Sequence, residues 1–153
     1  MIRTLRRLAA AALLVLPIAA GAAAPIYPDP SRAAADIDQA LREAARSDRR
    51  VLVDFGGDWC TDCKVLDAYM RRPENAPLVA RFVVVHVNVG ARGIDRNFDI
   101  AKRYGIPLAK GVPALAVLQG DGRVVYSQKS GEFESMRHMD PASVHDFLAK
   151  WAR

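Results

Sequence analysis

The chain has 153 residues, 51% of them hydrophobic and 25% charged, which suits one ordinary globular domain with a single core and gives no sign of a second. Its formal charge of +5 invites a nucleic-acid or membrane-surface reading. That reading fails, because Arg3, Arg6 and Arg7 lie in Met1–Ala22, a segment without acids, and the remainder is close to neutral.

Met1–Ala22 has the three parts of a secretory signal: a basic start, an apolar stretch from Leu8 to Ala20, and the small residues Ala20-Gly21-Ala22. Pro17 breaks the apolar stretch, which is shorter than the roughly 20 residues of a spanning helix, so cleavage is expected rather than anchoring. The mature protein is then expected in the periplasm. Residues 23–30, with Pro25, Pro28 and Pro30, read as an extended, poorly ordered linker, and 31–153 as the folded domain.

Ser31 to Ser47 places Ala34, Ile37, Leu41, Ala44 and Ala45 on one helical face. Val51 to Phe55 is a buried strand, ended by Gly56-Gly57. Val65, Leu66, Tyr69 and Met70 give Cys60 to Arg72 a helical period. Pro73 ends or kinks that helix. Ala76 to Phe82 allows a short helical stretch, and Val83 to Val89 is a second buried strand, expected to be parallel to the first. Asp95 to Tyr104 reads as a helix closed by Gly105. A hairpin follows, Ala114–Gln119 and Val124–Lys129 around Gly120-Asp121-Gly122, and a last helix begins at Asp140-Pro141. This order implies an α/β fold, a mixed sheet with helices on both faces.

The only two cysteines, Cys60 and Cys63, fall where the first strand hands over to a helix. Three residues apart, they are close enough to bridge. The unpaired N–H groups and the dipole of the helix N-terminus favour a thiolate on Cys60. Such an arrangement suits a reversible dithiol/disulfide switch. A purely stabilising bridge is disfavoured, because closing so short a loop removes little unfolded-chain entropy. A zinc site lacks its four ligands. Copper is the alternative, with Met136, His138 and Met139 as soft or imidazole ligands beside the thiols.

Trp59-Cys60-x-x-Cys63-Lys64, the acid Asp54 in the preceding strand, and Gly111-Val112-Pro113 together resemble the active-site segments of the thioredoxin superfamily. Within it the chain is most similar to secreted single-domain members and to the C-terminal domain of the periplasmic thiol:disulfide interchange reductase. The resemblance implies a thioredoxin-like fold and a protein-disulfide oxidoreductase. Cys60 would be the nucleophile and Cys63 the resolving thiol. Asp54 would be a buried acid serving Cys63, Trp59 a flat surface beside the nucleophile, and Pro113 a cis-proline that aligns an extended substrate. It further implies protein disulfides as substrates, a membrane or envelope electron donor, no cofactor beyond the dithiol, and a monomer.

The chain departs from the family in two ways. His86 stands where the family's lysine partner of the buried acid is expected, leaving open whether it pairs with Asp54, is exposed, or is capped by backbone. Thr61-Asp62 replaces the Gly-Pro between the cysteines, and a carboxylate there opposes thiolate formation, which favours a reductant over a strong oxidant. Pro107–Lys110 and Glu132–Asp140 look like insertions that border the thiols and set partner choice.

Overall fold

Among the described residues, five α-helices and four strands follow one another in the order α1 (Ala33–Ser47), β1 (Arg50–Gly56), α2 (Thr61–Met70), α3 (Ala76–Val79), β2 (Phe82–Asn88), α4 (Phe98–Arg103), β3 (Ala114–Leu118), β4 (Val124–Ser127) and α5 (Ala142–Trp151). The computed structural model describes residues 24–152; the expected signal segment, Met1–Ala22, lies outside them.

The sheet order is β2-β1-β3-β4. β1 pairs parallel with β2 and antiparallel with β3, and β3 pairs antiparallel with β4, so the sheet is mixed. β1 is central, which explains its composition: Val51, Leu52, Val53 and Phe55 are all fully buried. Each such side chain contributes about 1.5–3 kcal/mol by leaving water. Alternation along the strand divides the core. Val51, Val53 and Phe55 join α1 residues such as Ile37 and Ala44, while Leu52 joins Leu66 of α2 and Leu148 of α5.

α4 begins three residues later than its sequence pattern predicts. The N–H groups of Asp95 and Arg96 both turn back to the Val89 carbonyl, at 2.8 and 2.9 Å, and Asn97 adopts a left-handed conformation with φ 57°. The backbone becomes helical only after that bend.

The described part of the expected loose linker, Ala24–Pro30, is instead a strap bound to the domain. Tyr27 is 2% exposed. Asp58 accepts the Ile26 N–H at 2.9 Å and the Tyr27 N–H at 3.3 Å, and Asn88 Nδ2 donates to the Pro28 carbonyl at 2.9 Å. A buried aromatic ring and backbone hydrogen bonds to distant residues hold it in place.

Candidate active site

Strand β1 ends at Gly56, and a short turn delivers Cys60 to the N-cap of α2 with extended dihedrals, φ −85° and ψ 112°. The Cys63 N–H points at Cys60 Sγ, 3.1 Å away. A cysteine at this cap takes the role that Ser or Asp usually plays, and a negative sulfur there gains from the donor and from the helix dipole. The two cysteines form a disulfide with Cα atoms 5.3 Å apart. Their exposures differ: Cys60 retains 6% and Cys63 none.

The rim around Cys60 is built by three segments. Trp59, 38% exposed, is fixed by donating its indole N–H to the Gly90 carbonyl at 2.8 Å. Gly57 makes that possible, since a Cβ there would lie 2.5 Å from the indole nitrogen and 3.2 Å from the Gly90 oxygen. The Val112–Pro113 peptide is cis, and the Val112 carbonyl oxygen lies 3.6 Å from Cys60 Sγ. Behind this loop Gln128, 1% exposed, donates from Nε2 to the Pro113 carbonyl at 3.1 Å and accepts the Leu115 N–H at 3.2 Å. One buried side chain thereby ties the proline loop to β3.

On β1, two residues before Gly56, Asp54 is fully buried. Its Oδ2 accepts from the Tyr27 hydroxyl at 2.7 Å and lies 3.0 Å from His86 Nδ1. Oδ1 has no hydrogen-bond partner among the described residues. His86 is directly opposite Asp54 in the parallel ladder, so the pair follows from register. Of the alternatives open for His86, the structure selects pairing with Asp54. Burial opposes the charged imidazole, but the hydrogen bond to Asp54 and its charge outweigh that and raise His86 above its ordinary value. Burial, followed by the Asp54 charge, pushes the Tyr27 phenol up as well, so it remains a protonated donor.

Asp62, between the cysteines, does not face Cys60 as an isolated charge. It accepts the Arg137 backbone N–H at 2.8 Å and the guanidinium Nε at 3.2 Å. Burial works against its charge, yet the Arg137 hydrogen bonds and charge hold its carboxyl below the usual range. The guanidinium offsets the repulsion that the sequence alone assigns to this carboxylate. Through this contact the Glu132–Asp140 segment docks on the first turn of α2.

Of the three candidate copper ligands, the two methionines pack against the core. Met136 is fully buried among Leu66, Phe133 and Val144, whereas His138, two residues on, is exposed. Met139 packs against the same cluster as Met136, so the short 3-10 turn at Met136–His138 leaves only His138 outside it. Sequence reasoning missed two residues of the site. Tyr27 was signalled only by an aromatic ring among prolines and small residues. Arg137 carried no local signal.

The family model described as thioredoxin-like matches residues 32–120. The chain belongs to the thioredoxin-like family. This thioredoxin-like protein is 31% identical to the thioredoxin of Buchnera aphidicola over 90 residues, 59% of this chain and 73% of that one. It is 31% identical over 100 residues to the thiol:disulfide interchange protein DsbD of Neisseria meningitidis, covering 63% of this chain but 15% of that protein. Among solved structures, the disulphide isomerase of Xylella fastidiosa shares 36% identity with a TM-score of 0.79, covering 86% of this chain and all of that one. The C-terminal domain of Neisseria meningitidis DsbD shares the fold at 24% identity and a TM-score of 0.55, covering 82% of this chain and 99% of that domain. The thioredoxin-like protein, with its Cys60-x-x-Cys63 pair, is a thiol:disulfide oxidoreductase.

Proposed function

We propose that the protein is an exported dithiol reductant of protein disulfides in the cell envelope. The observation that carries this reading is the setting of Cys60 Sγ. One backbone N–H at 3.1 Å favours the thiolate, while the Val112 carbonyl at 3.6 Å is an acceptor that favours the protonated thiol of the reduced form. A strong oxidant owes its potential to heavy stabilisation of its thiolate, and this balanced setting supports the opposite direction.

In the reaction, Cys60 thiolate attacks one sulfur of a target disulfide and releases the target's other thiolate. Cys63 then loses its proton and attacks the Cys60 sulfur of the mixed disulfide. The bond from Cys60 to the target breaks, the Cys60–Cys63 bond forms, the second target thiolate leaves, and two electrons have passed from the protein to the target. Asp54 is the base for the Cys63 proton. Trp59 and the backbone at Val112–Pro113 position the target chain. No cofactor takes part beyond the dithiol. A membrane or envelope donor restores it, a role favoured by the kinship with DsbD. Export rests on the signal-like composition of Met1–Ala22.

Equilibration with glutathione tests the direction. A potential below about −200 mV, nearer the roughly −270 mV of thioredoxin, is expected together with catalytic insulin reduction; a value close to the −120 mV or so of a strong oxidant would overturn it. Intact mass of the protein from envelope extract tests export, with the chain beginning between Ala20 and Ile26. Kinship with the Xylella fastidiosa protein favours a second use of the same dithiol, reshuffling of wrong disulfides, measured by recovery of scrambled ribonuclease.

A further inference from the structure

Resting on that reading, we propose that Tyr27 is a positioning residue of the resolving step. Its hydroxyl holds Oδ2 of Asp54, and so keeps Oδ1 as the oxygen available for the Cys63 proton.

Three observations meet at this point. The first is the carboxylate itself, fully buried, with both of its hydrogen-bond contacts, Tyr27 and His86, on one oxygen and none among the described residues on the other. A buried polar atom left without a partner costs free energy, and a role as proton acceptor would account for that cost. The second is the placement of the phenol. A Cβ built on Gly56 would lie 2.6 Å from Tyr27 Cζ and 2.8 Å from Cys63 Sγ, so ring and sulfur flank the same glycine. The third is how much of the fold is committed to holding Tyr27 there: Asp58 accepts two N–H groups of the strap, Asn88 and Asn97 hold the Pro28 and Pro30 carbonyls, and the ring meets His86 edge-on at 5.2 Å. Packing alone would be served by phenylalanine. The hydroxyl is an added polar group, worth burying only for the bond it makes.

In the step, the S–H bond of Cys63 breaks and its proton passes to Asp54 as the sulfur attacks Cys60; electrons move only between sulfurs. Tyr27 supplies no proton, and its raised proton affinity keeps it a donor throughout. The other charged groups around Asp54 are Asp58 beside the strap, Asp67 on α2 with its partner Arg71, and the Arg32–Asp36 pair lining the cleft next to His86. All remain in place when the Tyr27 hydroxyl is removed.

Tyr27→Phe in the full chain tests this, with Ellman's disulfide as the target. Reduced protein releases one thionitrobenzoate when Cys60 attacks and a second when Cys63 resolves the mixed disulfide, so one stopped-flow trace reads both steps. The first phase should be unchanged. The second should slow about tenfold, because an Asp54 carboxylate that loses the Tyr27 hydrogen bond is no longer held in place for the Cys63 proton. Asp58→Ala, which frees the strap from outside, should slow the second phase selectively as well. A second phase of wild-type rate in Tyr27→Phe overturns the proposal, as does equal slowing of both phases alongside a lowered melting temperature, the mark of a merely structural role. A wild-type protein with no second phase would instead remove the exchange reading on which the proposal rests.

Discussion

The two sulfurs of one disulfide occupy unlike halves of the site. Cys60 sits on an exposed rim among Trp59, the cis Val112–Pro113 loop and the first turn of α2, and what it meets is backbone: one N–H and one carbonyl. Cys63 has no exposure, and its sulfur flanks Gly56 together with the Tyr27 phenol, which in turn bonds Asp54 of the Asp54–His86 pair. Backbone dipoles are fixed and suit a sulfur that must be ready before any partner arrives. On the proposed reading, a buried carboxylate that serves as base suits a sulfur that acts only afterwards.

Deleting each thiol breaks this comparison most severely. Cys60→Ser is expected to abolish turnover, and Cys63→Ser to accumulate a mixed disulfide with the target, visible on a non-reducing gel. A trap formed by Cys60→Ser would reverse the roles. Next in size is Asp54→Asn, which leaves the buried side without a base. Resolution should slow by roughly a hundredfold while the attack by Cys60 keeps its rate; loss of both would show that Asp54 serves the whole site.

Arg137→Ala probes the rim instead. With the guanidinium gone, the Asp62 carboxylate disfavours the Cys60 thiolate, and alkylation of Cys60 at neutral pH should slow by about threefold. The pair is half exposed on its Arg side, so the loss of stability should stay within about 1 kcal/mol. Unchanged alkylation would mean that Asp62 and Cys60 do not sense each other.

The smallest effect concerns pH. His86 has a higher proton affinity folded than unfolded, so its contribution to stability is full below the ordinary imidazole value of about 6.5 and is lost as pH rises through the raised folded value. Urea unfolding should show stability falling by under about 1 kcal/mol from near-neutral to mildly alkaline pH, and His86→Asn should flatten that slope. A slope that persists in the variant would assign it to other groups.

How legible each half was in the sequence follows from what builds it. The rim is local: strand, glycine pair, Trp59, Cys60 and the first turn of α2 are consecutive, and the valine-proline pair carries its own conformational signature, so residues and roles could be named together. The register that sets His86 opposite Asp54 was half legible, since two apolar runs announced a parallel pair. The strap was not. Prolines describe a chain's local shape, and nothing local says that Tyr27 will be buried against Asp54, 27 residues away. The contact of Arg137 with Asp62, 75 residues apart, was hidden for the same reason. At Met136, His138 and Met139 nearness in sequence says nothing of burial: the two methionines pack against one core cluster while His138 is exposed. At α4 the helical period was correct but its start was not, because backbone N–H groups of the loop were claimed by Val89.

Alkylation of the reduced, folded protein with iodoacetamide, followed by peptide mass mapping, tests the asymmetry of the two sulfurs most directly. The account predicts that Cys60 is modified first and to completion while Cys63 stays unmodified until denaturant is added. Equal labelling of the two, or labelling of Cys63 before Cys60, would contradict it.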